Sequence, residues 1–159
     1  MDAQVVAIYI RHFRDVYRYV LGLTGSHDEA DDITAATFER ALRTWRSPRR
    51  VPLAPLPWLL LTARRDAVDR WRRVKRFTAL APRVRNIEAT AGERHTEFWM
   101  WFESLAGVLS DRQREVLLLR YQRDLTDGDI AMIMGLSQSG VRSLVGRALS
   151  TLRSHPELL

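Results

Sequence analysis

TDGDIAMIMGLSQSGVRSLVGRAL, residues 126–149, is the stretch that decides how the rest of the chain is read. Thr126 is a helix-capping residue type, with Asp129 placed in the first turn behind it. The helix it opens turns Ile130, Ala131, Ile133 and Met134 inward. Gly135 suits a left-handed position at the helix end, Leu136 plugs the turn, and Ser137 caps a further helix. A short helix, a glycine turn and a second helix are the layout of a helix-turn-helix.

The second helix has two distinct sides. At about 100° per residue, Val141, Leu144, Val145, Ala148, Leu149 and Leu152 fall within roughly 140°, a core-facing stripe. The other side presents Ser139, Arg142, Ser143, Gly146, Arg147 and Ser150, and no acid occurs from Gln138 to Pro156. A merely solvated face usually mixes both signs. A small, polar, basic face is suited to a major groove, with arginines for phosphates or guanine edges. Ser139, Arg142, Ser143 and Arg147 are therefore the candidate DNA-reading residues.

Upstream, apolar residues recur at helical spacing almost throughout, and no stretch alternates as a strand would. Val5, Tyr9, Phe13, Val16, Val20 and Leu23 form one face of a first helix, ended by Thr24-Gly25. Ser26, with Glu29 three residues on, begins a second helix in a capping-box pattern. Its buried stripe is Ala30, Ile33, Thr37, Ala41 and Trp45; Asp28, Asp31, Asp32 and Glu39 give its other side an acidic surface. A loop with Pro48, Pro52, Pro55 and Pro57 follows, because proline removes donors and stops helices. Pro57 fits the first turn of a third helix, expected from Trp58 to about Arg73 with Leu60, Ala63, Ala67 and Trp71 inward. Arg64, Arg65, Arg70, Arg72 and Arg73 crowd its remainder, tempered by Asp66 and Asp69. Residues 76–97 lose periodicity and read as a linker. Phe98-Trp99-Met100-Trp101-Phe102 resumes a helix whose aromatics suit packing against a partner or, in preference, a domain core. The expectation is an all-α chain of two small helical domains, 1–75 and 98–159, joined by the linker 76–97.

Composition agrees with this reading. The 159 residues carry a formal charge of +6, and Lys75 is the only lysine. Residues 1–75 hold 14 basic and 9 acidic side chains, residues 98–159 seven of each, so sequence-independent attraction to DNA belongs mainly to the N-terminal half. The absence of cysteine excludes disulfides, a thiol nucleophile and cysteine-ligated zinc. His12, His27, His95 and His155 are too scattered for a metal site, and Asp31-Asp32 lack a matching base or pocket. No enzyme, cofactor or metal is expected. The longest apolar run, around Trp58 to Leu61, is far too short to cross a bilayer, so a cytoplasmic protein without membrane insertion is expected.

Two blocks of residues, in order, resemble the extracytoplasmic-function (ECF) sigma factors of bacterial RNA polymerase. Leu109-Ser110-Asp111-Arg112-Gln113-Arg114-Glu115-Val116-Leu117-Leu118-Leu119-Arg120-Tyr121, then Asp129-Ile130-Ala131, Val141-Arg142-Ser143 and Arg147-Ala148-Leu149, are similar to the family's region four. Asp28-Glu29-Ala30-Asp31-Asp32-Ile33-Thr34, Thr37-Phe38, Pro57-Trp58-Leu59, Thr62-Ala63-Arg64, Asp69 and Arg72-Arg73 are similar to region two. The resemblance implies a partner, core RNA polymerase, bound at the clamp of its largest subunit through the acidic helix 28–45, with Asp31, Asp32, Ala35, Ala36 and Glu39 as the contact positions. It implies that the minus-ten element is held and opened by Arg64, Arg65, Asp69, Arg72 and Arg73, with an extracted base received by the loop 47–57. It implies minus-thirty-five reading through the helix-turn-helix, docking of region four on the polymerase flap, a linker threading the active-site channel and RNA exit path, and control by an anti-sigma factor.

The chain departs from the family pattern at Ala35-Ala36, where a glutamine and an acid are common. It departs again at Arg65, where asparagine is frequent, at Leu144, where arginine is frequent, and at Gly146, where a larger residue is usual. Two other readings stay open from the residues: a helix-turn-helix regulator that binds promoter DNA without polymerase, and a sigma-like interaction protein with reduced promoter activity.

Overall fold

The computed structural model describes residues 3–77, 97–122 and 125–158, and these are helical with no strand among them. The chain divides into two compact units, Met1–Val84 and Arg85–Leu159, each taken by itself below. The expected linker 76–97 lies outside the described residues except at its ends, where helices reach Phe77 and begin at Glu97.

In the first unit α1 (Ala3–Thr24), α2 (His27–Thr44) and α3 (Pro55–Phe77) all pack on one another. Gly25, at φ 69°, turns the chain out of α1, and its N–H still reaches Leu21 O at 2.8 Å. Ser26 starts α2 as expected, its hydroxyl accepting from Glu29 N. The junction is tied by the Tyr17 hydroxyl, 2.5 Å from Nδ1 of the buried His27. The core takes Val16, Tyr19, Val20, Leu21, Ile33, Leu59 and Leu60, all essentially sealed from solvent.

The buried face of α1 differs from the expected one. Ile8, His12 and Tyr19 are buried, Tyr9 is exposed and Phe13 is half-buried. A helix packed by two neighbours buries a wider sector than one stripe, and the centre of that sector depends on both partners. Tyr9 and Phe13 instead meet the Phe38 ring of α2, with centroids 4.9 and 6.4 Å away. The α2 stripe is buried as expected: Ala30, Ile33, Thr37, Ala41 and Trp45. Helix α3 starts at Pro55, earlier than Trp58, because a proline costs nothing in a first turn whose N–H groups have no helical acceptor. Leu60, Ala63 and Ala67 face the core, but Trp71 is 36% exposed, at the margin of the buried sector.

The second unit contains α4 (Glu97–Ser104), α5 (Asp111–Arg120), α6 (Asp127–Met134) and α7 (Gln138–Arg153). Trp99 and Phe102 are buried and meet edge to face at 5.8 Å, so these aromatics of α4 do build a core. The buried Arg114 of α5 lays its guanidinium 4.6 Å from the centre of the Phe102 ring. A buried arginine is tolerated there because the ring face attracts the cation. Trp101 Nε1 donates to Leu158 O at 2.6 Å, which ties the C-terminal end of the chain back to α4. Helices α5, α6 and α7 pack mutually around Val116, Leu119, Ile130, Ile133, Val141 and Ala148.

Candidate nucleic-acid interface

The helix-turn-helix is assembled by contacts three to five residues long. Thr126 Oγ1 accepts from Asp129 N at 3.1 Å and the Asp129 carboxylate accepts from Thr126 N at 2.9 Å, a complete capping box. At the other end of α6, Gly135 stands at φ 68°, ψ 38°, the left-handed region where a β-carbon is strained. Leu136 N then donates back to Ala131 O at 2.9 Å, the longer bond of a Schellman turn. Ser137 Oγ accepts from Gly140 N at 3.0 Å and launches α7.

On α7, Val141, Leu144, Ala148 and Leu152 are buried and Val145 and Leu149 half-buried. Leu144 is 7% exposed and extends the core. Ser139, Arg142, Ser143, Gly146, Arg147 and Ser150 are all exposed. No atom outside its own turn lies within 4 Å of where a β-carbon on Gly146 would point, so this position is an open notch in the outer face.

In the first unit a second surface forms on α3. Arg65, Asp69, Arg72 and Arg73 are exposed and share a sector of about 100°, nearly opposite the buried side; Arg64 is half-buried, about 80° outside that sector and next to the buried side. Arg70 turns away from this surface. Its Nε donates to Asp66 Oδ1 at 3.1 Å, and its Nη1 lies 4.0 Å from Asp32 Oδ2 on α2.

The loop before α3 contains a short 3-10 turn, Pro48–Arg50, and then a tip at which Leu53 is fully exposed. Its base is closed by Trp45 against Trp58. Arg49, Arg50 and Leu53 are candidate contacts that sequence reasoning passed over. The Pro48-Arg49-Arg50 run was the available signal for the arginines, whereas an apolar residue in a loop gives none.

The third surface is the outer side of α2. Asp31, Asp32, Ala35 and Glu39 are exposed and Ala36 is half-buried at the edge. Ala35 and Glu39 also line an apolar groove of about 350 Å³ with Val5, Val6, Tyr9, Phe13, Phe38 and Leu42. No helix of the described residues is long and apolar enough to cross a membrane.

Comparison with known proteins matches both halves. The model for sigma-70 region 2 covers residues 8–77 and that for sigma-70 region 4 covers residues 106–154. The ECF RNA polymerase sigma factor SigC of Mycobacterium tuberculosis is 32% identical over 155 residues, covering 91% of this chain and 78% of its own. SigM of Bacillus subtilis, also an ECF sigma factor, is 28% identical over 151 residues, covering 92% and 91%. In fold, the chain is similar to the sigma factor RpoE from Bartonella quintana, solved in complex with the anti-sigma factor NepR, with a TM-score of 0.79 over 96% of each chain and 18% identity. A region-2 match followed by a region-4 match, together with relatives similar along nearly the whole chain, places this protein among the ECF sigma factors, which direct RNA polymerase to promoters.

Proposed function

We propose that this sigma factor divides its work among the three surfaces. The outer face of α2, through Asp31, Asp32, Ala35, Ala36 and Glu39, docks on the clamp of core RNA polymerase. With Ala35 in place of a polar side chain, this face continues into the apolar groove beside Tyr9 and Leu42, so docking rests on apolar burial as well as charge. Arg64, Arg65, Arg72 and Arg73, with Asp69, hold the phosphates and the separated strand at the minus-ten element. The loop 47–57 receives a base drawn from the stack, and its contacts offset an unstacking cost of a few kcal/mol. Ser139, Arg142, Ser143 and Arg147 read the minus-thirty-five element, and the second unit also docks on the polymerase flap.

Domains follow the surfaces: residues 1–75 for core binding and melting, 76–97 as linker, 98–159 for upstream reading. The chain performs no covalent step of its own and acts in the cytoplasm. An anti-sigma factor, such as the one bound to the RpoE of similar fold, is its expected antagonist.

The observation that carries this reading is the acid-free outer face of α7 within residues 98–159, whose net charge is zero, paired with a strongly basic α3 in the other unit. The first supplies register and selectivity, the second the hold on DNA. Transcription in vitro with purified core polymerase tests it. Promoter-dependent transcripts are expected. DNA binding without polymerase association would replace this reading with that of a free-standing regulator. Arg142→Ala is expected to cost roughly 1–3 kcal/mol at one base pair and little elsewhere.

A further inference from the structure

The N-terminal ends of α6 and α7 meet at a crowded point. A β-carbon on Gly128 would lie 3.3 Å from Gln138 Nε2, so only a bare backbone lets Gln138 lie there unshifted. Beside it, the Asp127 carboxylate bridges two arginines. Oδ1 accepts from Arg120 Nη1 of α5, and Oδ2 lies 3.9 Å from Arg142 Nη1 of α7. The dipole of α6 favours an acid in its first turn, but it does not require that acid to reach Arg142, and Asp129 and Thr126 already close the capping box. An acid next to a DNA-reading face also repels phosphate, so its place there calls for a reason.

We propose that Asp127 is a positioning residue that sets promoter selectivity by presenting one edge of the Arg142 guanidinium to the bases. The proposal rests on Arg142 being a base contact. A guanidinium is planar and its N–H groups are fixed in forks. Approach through Nη1 leaves the Nε–Nη2 edge for DNA, the side-on fork that matches O6 and N7 of guanine. An arginine without such a stay samples many rotamers and reaches phosphates as readily as bases. Asp127, itself held by Arg120, removes part of that freedom before DNA arrives. It also penalises the phosphate-bound alternative. Both effects raise discrimination and lower overall affinity, the pattern of selectivity gained by disfavouring the wrong complex.

The test uses holoenzyme reconstituted from the full chain and core polymerase. The probes are a promoter fragment recovered by the wild type from a library randomised around the minus-thirty-five element, its single-base variants, and an unrelated fragment. Asp127→Asn is expected to lower discrimination at the base pair read by Arg142 by roughly two- to fivefold, the scale of an exposed ion pair. Binding to the unrelated fragment should rise at the same time. Asp127→Glu should restore part of the discrimination, and Asp127→Asn added to Arg142→Ala should change discrimination no further. Loss of binding to both matched and unrelated DNA by Asp127→Asn would mean a structural role and overturn the proposal. So would unchanged discrimination in Asp127→Asn when Arg142→Ala loses it. Unchanged discrimination in Arg142→Ala itself would overturn the reading of Arg142 beneath the proposal.

Discussion

The Trp45 and Trp58 rings meet with centroids 4.8 Å apart and planes inclined at 54°, closing the neck of the loop that carries Arg49, Arg50 and Leu53. Trp45 is only 2% exposed, so it belongs to the core and the loop at once. Trp45→Ala is expected to destabilise the first unit by about 3–5 kcal/mol, as truncation of a buried tryptophan does. Urea unfolding followed by circular dichroism measures this. A loss under about 1 kcal/mol would show that the loop is held by other contacts.

Leu53 should behave in the opposite way. A side chain exposed at a loop tip contributes little to folding, so Leu53→Ser should leave stability within about 0.5 kcal/mol of the wild type. If the loop receives a base, the same change should slow open-complex formation on duplex promoters and spare templates already unpaired across the minus-ten element. Permanganate reactivity of unpaired thymines distinguishes the two. Equal loss on both templates would place Leu53 outside the melting step.

The arginines of α3 are predicted to act through phosphates. Arg65→Ala and Arg72→Ala should each weaken holoenzyme binding across promoter sequences and lower the slope of log affinity against log salt by about 1. A change confined to one base pair would instead make that residue a base reader.

Two glycines of the helix-turn-helix separate backbone strain from function. At Gly135 nothing beyond the adjoining residues stands within 4 Å of where a β-carbon would point, yet φ is +68°; Gly135→Ala should cost about 1–2 kcal/mol from the backbone alone. Gly146 is helical and equally open, so Gly146→Ala should stabilise the unit by about 1 kcal/mol. Thermal unfolding of both variants gives the signs. If the notch at Gly146 admits DNA, the alanine variant should also select a different minus-thirty-five sequence. The wild type, with this notch and the buried Leu144, is expected to recover a motif unlike the family's common one. Selection from a randomised library checks both, and recovery of the usual motif by the wild type would count against the notch.

What the sequence determined by itself rests on interactions that span three or four residues. Thr126 with Asp129, the left-handed Gly135 and the Ser137 cap are local hydrogen-bond and backbone chemistry, so the helix-turn-helix was legible before any packing was known. The acidic face of α2 and the arginine face of α3 were legible too, since charge avoids burial and declares the outer side of a helix. The tertiary structure alone decided which sector of α1 is buried, because α2 and α3 jointly choose it and leave Tyr9 beside a groove. It alone decided that Leu53 stands fully exposed in its loop and that Asp127 reaches Arg142 across fifteen residues of chain. Such relations depend on how separate helices approach one another, and local spacing does not encode that distance.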